Sequence, residues 1–124
     1  MKLFDLNEVE SDEVSSSYFR KIATGESLTI GKVEVHAGEV TKLHSHESEE
    51  VIFVLKGAWL FRLPDEDVTV RANQMLFIPP GVEHSSEVLE DVIAIDICSK
   101  ARPDWQSGVD KSLHSNPGQF LWGV

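Results

Sequence analysis

A rhythm of short apolar runs broken by turn residues constrains this chain more than any other feature. Extended, β-branched or alternating stretches occupy residues 27–30, 33–36, 51–55, 58–63, 68–71, 75–78 and 92–98. Between them stand Gly31-Lys32, Gly57, Pro64-Asp65-Glu66-Asp67, Ala72-Asn73-Gln74 and Pro79-Pro80-Gly81, all turn-forming chemistry. In 58–63 the alternation puts Trp59, Phe61 and Leu63 on one face. Many short strands at near-regular spacing specify an all-β sandwich or barrel. One weak helix is expected, at residues 7–14.

The chain has 124 residues and 41% hydrophobic content, which fits one globular domain with its own core. That core is expected at about residues 27–100, with extensions at both ends. Residues 1–26 are polar and serine-rich around Ser15-Ser16-Ser17, and residues 103–124 mix Pro, Gly and Ser with Trp105, Phe120 and Trp122. Such extensions cross to a partner subunit, lie over a barrel end or stay disordered. There are 21 acidic residues against 11 basic ones, a formal charge of -10. That balance argues against nucleic acid and against anionic membrane surfaces, both of which select clustered Lys and Arg. The single Cys98 excludes an internal disulfide. The chain shows neither a membrane-length apolar run nor a signal-peptide pattern at its start, so a cytoplasmic location is the expectation.

Against this scaffold one cluster carries chemistry. His44, His46 and Glu50 lie close together in sequence, and His84 follows the Pro-Pro-Gly turn. Imidazole nitrogens and a carboxylate oxygen are the usual ligands of a divalent transition metal. His44, His46 and Glu50 share the parity that puts side chains on one face of an extended strand. Three neutral nitrogens and one carboxylate leave positive charge on an ion, and water or substrate fills its open positions. This donor set accepts Fe, Mn, Ni, Zn or Cu.

The spacing Gly38-x5-His44-x-His46-x3-Glu50-x6-Gly57 resembles the first motif of the cupin family. Asn73-x5-Pro79-x-Gly81-x2-His84 resembles the second, with Asn73 in place of the usual Gly and Val88 where Asn is common. Asn tolerates left-handed backbone angles, so the turn at 73 is expected to survive. The resemblance implies a double-stranded β-helix, or jelly-roll, barrel with a metal inside and a homodimeric assembly.

In residues 92–98 the isoleucines Ile93, Ile95 and Ile97 form one face, and Val92, Ala94, Asp96 and Cys98 the other. A carboxylate amid apolar strand residues is costly unless it is paired or working. Asp96 is therefore expected to point into the barrel, as a proton donor or acceptor with a raised pKa or as a structural hydrogen-bonding group. The stretch Asp96-Ile-Cys98-Ser99-Lys-Ala-Arg102-Pro-Asp104-Trp105 resembles the strand end of small cupins that linearise unsaturated uronates in pectin degradation. There the pattern runs D-x-F-S-P-x-R-x-D followed by Trp or Phe. The match gives Asp96 acid/base chemistry and lets Arg102 hold a substrate carboxylate in a two-pronged contact. A surface salt bridge from Arg102 to Asp104 is the plainer alternative. Cys98 replaces an aromatic residue, Ala101 disturbs the proline spacing, and Glu50 stands where that group has glutamine.

The remaining polar and aromatic residues take plainer readings. His36 is expected to be a hydrogen-bonded structural histidine, His114 a solvated residue of the tail, and Cys98 a small buried filler. Trp59 and Phe61 pack within the sheet or at a subunit interface, and Glu47 and Glu49 face solvent. Three functional classes follow: a metal-dependent lyase or isomerase acting on a small oxygenated or carboxylated molecule such as a sugar acid, a non-haem dioxygenase, and a non-catalytic small-molecule-binding protein.

Overall fold

The structure, a computed structural model, describes residues 1–99 and 102–115. Its strands are β1 (Asp12–Ser15), β2 (Tyr18–Thr24), β3 (Leu28–Val35), β4 (Val40–His44), β5 (Glu50–Arg62), β6 (Asp67–Arg71), β7 (Met75–Ile78), β8 (His84–Ser99) and β9 (His114–Ser115). A short helix, α1 (Pro103–Ser107), and a 3-10 turn, Val109–Leu113, lie between β8 and β9. All pairings are antiparallel. The order is β1-β2-β3-β8-β4-β9, and β5 pairs with β6, β7 and β8. The result is the expected all-β jelly-roll.

Two long strands hold both halves together. β8 pairs with β3 through residues 92–99 and with β4 through 84–87, while β5 runs beside it throughout. Neither strand is regular. The β5–β8 register shifts between Val54 and Trp59, where Leu55 and Lys56 are exposed in succession. Such bulges bend a strand and reset which residues face inward. Gly57 is fixed there twice over: its φ is +94°, and a Cβ would lie 2.1 Å from the Asp91 carbonyl oxygen. Asn73 has a φ of 67° and keeps its turn closed, as expected of asparagine.

The isoleucine face of residues 92–98 lies outward and half-buried, while Val92, Ala94, Asp96 and Cys98 face in. The inward apolar cluster joins Val14, Tyr18, Val33, Val35, Ile52, Val54, Trp59, Phe61, Val70, Ile78, Val88, Val92 and Ala94.

Several expectations are corrected. No turn forms at Gly31-Lys32: β3 runs through it, with Gly31 opposite both Ile22 and Asp96. The glycine serves packing instead, since a Cβ there would come 3.2 Å from the Trp105 ring. No helix forms at 7–14. Asp5 accepts the backbone N–H of Asn7 through Oδ1 and that of Glu8 through its carbonyl, closing a turn. The chain then enters β1, which buries Val14. The core therefore begins before residue 27, because β1 and β2 extend the sheet. α1 was not expected, although Pro103 at its start, Asp104 in its first turn and left-handed Gly108 at its end are ordinary helix signals. Ala101, Phe120 and Trp122 lie outside the described residues.

Candidate metal centre

His44 closes β4, His84 opens β8, and the two are cross-strand partners. His46 stands in the loop after β4, and His44 and Glu50 lie on different strands, so no shared strand face relates the three as expected. The loop is pinned to the Pro-Pro-Gly turn by the Gly81 N–H on the His46 carbonyl, 2.8 Å. Glu50 begins β5 with its carboxylate inward and buried. The ring nitrogens of His44, His46 and His84 fall within 4.8 Å of one another, a group that could hold a metal ion. Glu50 Oε1 lies 3.1 Å from His46 Nε2 and 3.5 Å from His84 Nε2. Ligands bonded to one ion at about 2.0–2.2 Å stand roughly 3.0–3.5 Å apart, which matches these separations.

Each ring is held from behind in the same way. His44 Nδ1 bonds the Lys42 carbonyl at 2.7 Å, His46 Nδ1 the Ser48 carbonyl at 2.9 Å, and His84 Nδ1 the Val82 carbonyl at 2.9 Å. A carbonyl oxygen only accepts, so all three Nδ1 atoms carry the proton. The Nε2 atoms of neutral rings are then lone pairs directed at one another and at a carboxylate. That arrangement is repulsive until a proton or a cation enters, and it is the usual outer support of a metal-bound imidazole.

Burial pushes His44 down to about 4, so its ring stays neutral. The hydrogen bond to Glu50 raises His46 against the opposing effect of burial. Burial disfavours the charge on Glu50, yet hydrogen bonds with His46, His84 and Asp96 hold it well below the ordinary carboxylate range. Asp96 goes the other way. Burial first, then the charge of Glu50, pushes it well above that range. Its side chain is inward, as expected, and 3% exposed. The carboxylates of Glu50 and Asp96 and the Cys98 sulfur lie within 4.8 Å of one another. Glu50 thus carries the negative charge while Asp96 keeps the proton.

The cluster opens on a cavity of about 40 Å³. Its walls include the three histidines, Glu50, Asp96, Arg20 and Arg102, with Trp105, Asp110 and His114 from the C-terminal segment.

Residues 31–98 match the family pattern of the cupin domain, more than half of the chain. The chain belongs to the cupin family. Like many cupins, it carries a His/Glu group able to take a metal. A protein of Methanocaldococcus jannaschii is 30% identical over 83 residues, 66% of this chain and 66% of that one. Among solved structures, KdgF from a Halomonas species superposes with a TM-score of 0.77 at 27% identity, covering 84% of this chain and 99% of that one. An RmlC-like cupin from Shewanella frigidimarina gives 0.78 at 22% identity, covering 85% and 96%, a likeness of fold.

Within this cupin barrel Arg102 is buried, not on the surface, yet its fork is already taken. Nε donates to Asp104 Oδ1 at 2.8 Å and Nη2 to Oδ2 at 2.6 Å. Nη1 reaches the Cys98 sulfur at 3.4 Å. Burial, with the charge of Glu50 adding to it, pushes the Cys98 thiol up, so it stays a protonated, small buried filler as expected. His36 is exposed and faces Asp91 at 3.6 Å, Glu47 and Glu49 are exposed, and Trp59 and Phe61 pack in the core.

His114 corrects the reading of the tail. It is not solvated: its side chain is sheltered, bonds Thr41 Oγ1 at 3.0 Å and packs on Tyr18. Arg20 and Asp110 were not singled out from sequence at all. Their partners are 90 residues apart, and Phe19-Arg20-Lys21 reads as a solvated stretch. Strict alternation with buried Tyr18 was the signal that put Arg20 inside.

Proposed function

We propose that this cupin is a metal-dependent enzyme of the lyase or isomerase type, acting on a small carboxylated substrate such as a sugar acid. His44, His46, Glu50 and His84 would hold one divalent transition metal, Fe, Mn, Ni, Zn or Cu. The carrying observation is the set of three Nδ1 bonds to backbone carbonyls, which leaves the Nε2 atom of each ring available to an ion, with Glu50 Oε1 3.1 Å from that of His46 and 3.5 Å from that of His84. When bound, the ion would supply Lewis acidity toward a substrate carbonyl or hydroxyl.

Asp96 is the proton-moving group. It holds its proton at the carboxyl beside Glu50 and can release it to a substrate atom in the cavity, acting as general acid. The returning proton restores the neutral form that burial and Glu50 favour. Trp59 also lines the cavity, and its indole N–H is buried with no partner among the described residues. Arg102 would orient the substrate carboxylate once Asp104 yields its place. The likeness to KdgF, at 27% identity over nearly all of that chain, supports the same class.

A second copy of this chain is the proposed partner, matching the expectation of a homodimer. Ile30, Met75 and Phe77 are exposed on the outer sheet face, in cross-strand rows with Ile95, Ile97, Val51 and Phe53. Contiguous apolar surface of this kind marks an interaction site. Light scattering should return twice the chain mass, and the monomer mass would refute the assembly.

The functional test is turnover of unsaturated uronates by metal-reconstituted protein under strict anaerobiosis. Activity without oxygen that falls about 10²–10⁴-fold in Asp96→Asn is the expected result. Activity that requires oxygen, or an Asp96→Asn variant as active as the parent, would refute the assignment.

A further inference from the structure

The cavity as it stands holds an ion and little more. At about 40 Å³ it is far below the roughly 300–1,000 Å³ of organic-ligand sites. Some wall must therefore move for any substrate to enter. The barrel walls are strands hydrogen-bonded to neighbours, whereas the segment from Pro103 to His114 is held mainly by charged and polar side chains, with only its last residue, His114, paired in a strand with β4. Arg20 donates to both Asp110 oxygens, at 2.6 and 2.9 Å. Arg102 donates to both Asp104 oxygens, and Lys111 reaches Asp12 at 2.6 Å. Apolar anchoring is slight: Trp105 is buried, but Val109 is 70% exposed.

Both guanidiniums lie over the Trp105 ring, with Arg20 5.3 Å and Arg102 5.0 Å from its centroid. Arg20 is 2% exposed, and both arginines belong to the cavity wall. Two buried guanidiniums beside a candidate metal centre each grip a carboxylate in a fork, and both carboxylates come from one short segment.

We propose that Arg20 is a second anion-binding residue of the cavity, masked by Asp110, and that a carboxylated substrate enters by replacing that internal carboxylate and lifting the 103–114 segment. The ligand class is a small organic acid whose carboxylate takes the two-pronged contact that Asp110 now makes. The inference rests on the reading of this cavity as the substrate site, but not on which metal it holds. Exchanging one carboxylate for another leaves the charge on Arg20 matched throughout, so opening exposes no unpaired buried cation.

The test compares D-galacturonate with D-galactose, which lacks the carboxylate, on the metal-loaded full chain. Backbone hydrogen exchange is followed at Trp105, Gly108 and Lys111, whose amides donate to the carbonyls of Arg102, Trp105 and Gly108. Galacturonate should speed exchange there, and galactose should not. Asp110→Asn should bind galacturonate about tenfold more tightly, because the internal competitor is gone. Arg20→Met should erase the preference for the acid over the neutral sugar. Equal responses to the two sugars, slower exchange with galacturonate, or unchanged affinity in Asp110→Asn would overturn the proposal. If a variant fails to fold, the exchange comparison on the unaltered chain decides alone. Metal content is measured on the same samples. An intact galacturonate response in protein that takes up no metal would sink the metal reading and leave this one standing.

Discussion

The two ends of the barrel interior are built on the same strands and differ completely in what they bury. At one end the cross-strand rows read Val35 with Val92, then Val33 with Ala94 and Val54. One step along, Gly31 and Ile52 flank Asp96, and the next row joins Thr29, Cys98 and Glu50. Within two residues of β8 the interior passes from hydrocarbon to acid. The apolar end needs only volume and period. The polar end needs a named partner for every group: histidines for Glu50, Glu50 for Asp96, Asp104 for Arg102, Asp110 for Arg20. The first kind of burial stabilises the fold, and the second trades stability for a site.

Moving a carboxylate across that boundary should have the largest effect. Ala94→Asp puts an acid one row into the apolar end, without the partners that Asp96 has. A loss on the order of 4 kcal/mol, or failure to fold, is expected in chemical denaturation. A variant as stable as the parent would show that the two ends do not differ as described.

Asp110→Asn tests a pair inside the polar end. It leaves buried Arg20 with only the partly exposed Asp12, 3.1 Å from its Nε, as counter-charge, and about 3 kcal/mol of stability should be lost. Burial opposes the charge on Asp110, but hydrogen bonds from His114 and Arg20 hold its carboxyl below the ordinary 3.8. A depressed acid contributes fully above its unfolded value and loses that contribution as pH falls toward the folded value. Thermal stability of the unaltered chain should therefore decline below about pH 4, and the decline should be shallower in Asp110→Asn. Parallel pH profiles would remove Asp110 from the account.

The smallest effect is expected at Asp96. Because this acid keeps its proton, Asn is close to its isostere, and Asp96→Asn should shift stability by less than about 1 kcal/mol. A large loss would mean that Asp96 holds the fold together instead of serving the cavity.

The same contrast explains what could be read from the sequence. The apolar end was legible, because inward Val92 and Ala94 alternate with outward isoleucines and period alone sorts them. His44, His46, Glu50 and His84 were legible as a set because a family spacing carries them, although His46 sits in a loop where parity has no meaning. Asp96 was legible as a misfit in an apolar strand. Arg20, Asp110 and His114 were not, because their burial arises from contacts between distant segments and no local pattern encodes it. The turn expected at Gly31 failed for a similar reason: the glycine answers to the Trp105 ring, 74 residues away by number, and not to its neighbours.

The central claim is that three imidazoles and one carboxylate converge to take a divalent ion. Titration of metal-stripped chain with Mn, Fe, Ni, Zn and Cu, read by metal analysis after gel filtration, tests it most directly. The account predicts one tightly held ion per chain, lost in His84→Ala while circular dichroism still reports the β-barrel. Retention of the ion in His84→Ala, or no ion retained by the unaltered chain with any of the five metals, would contradict it.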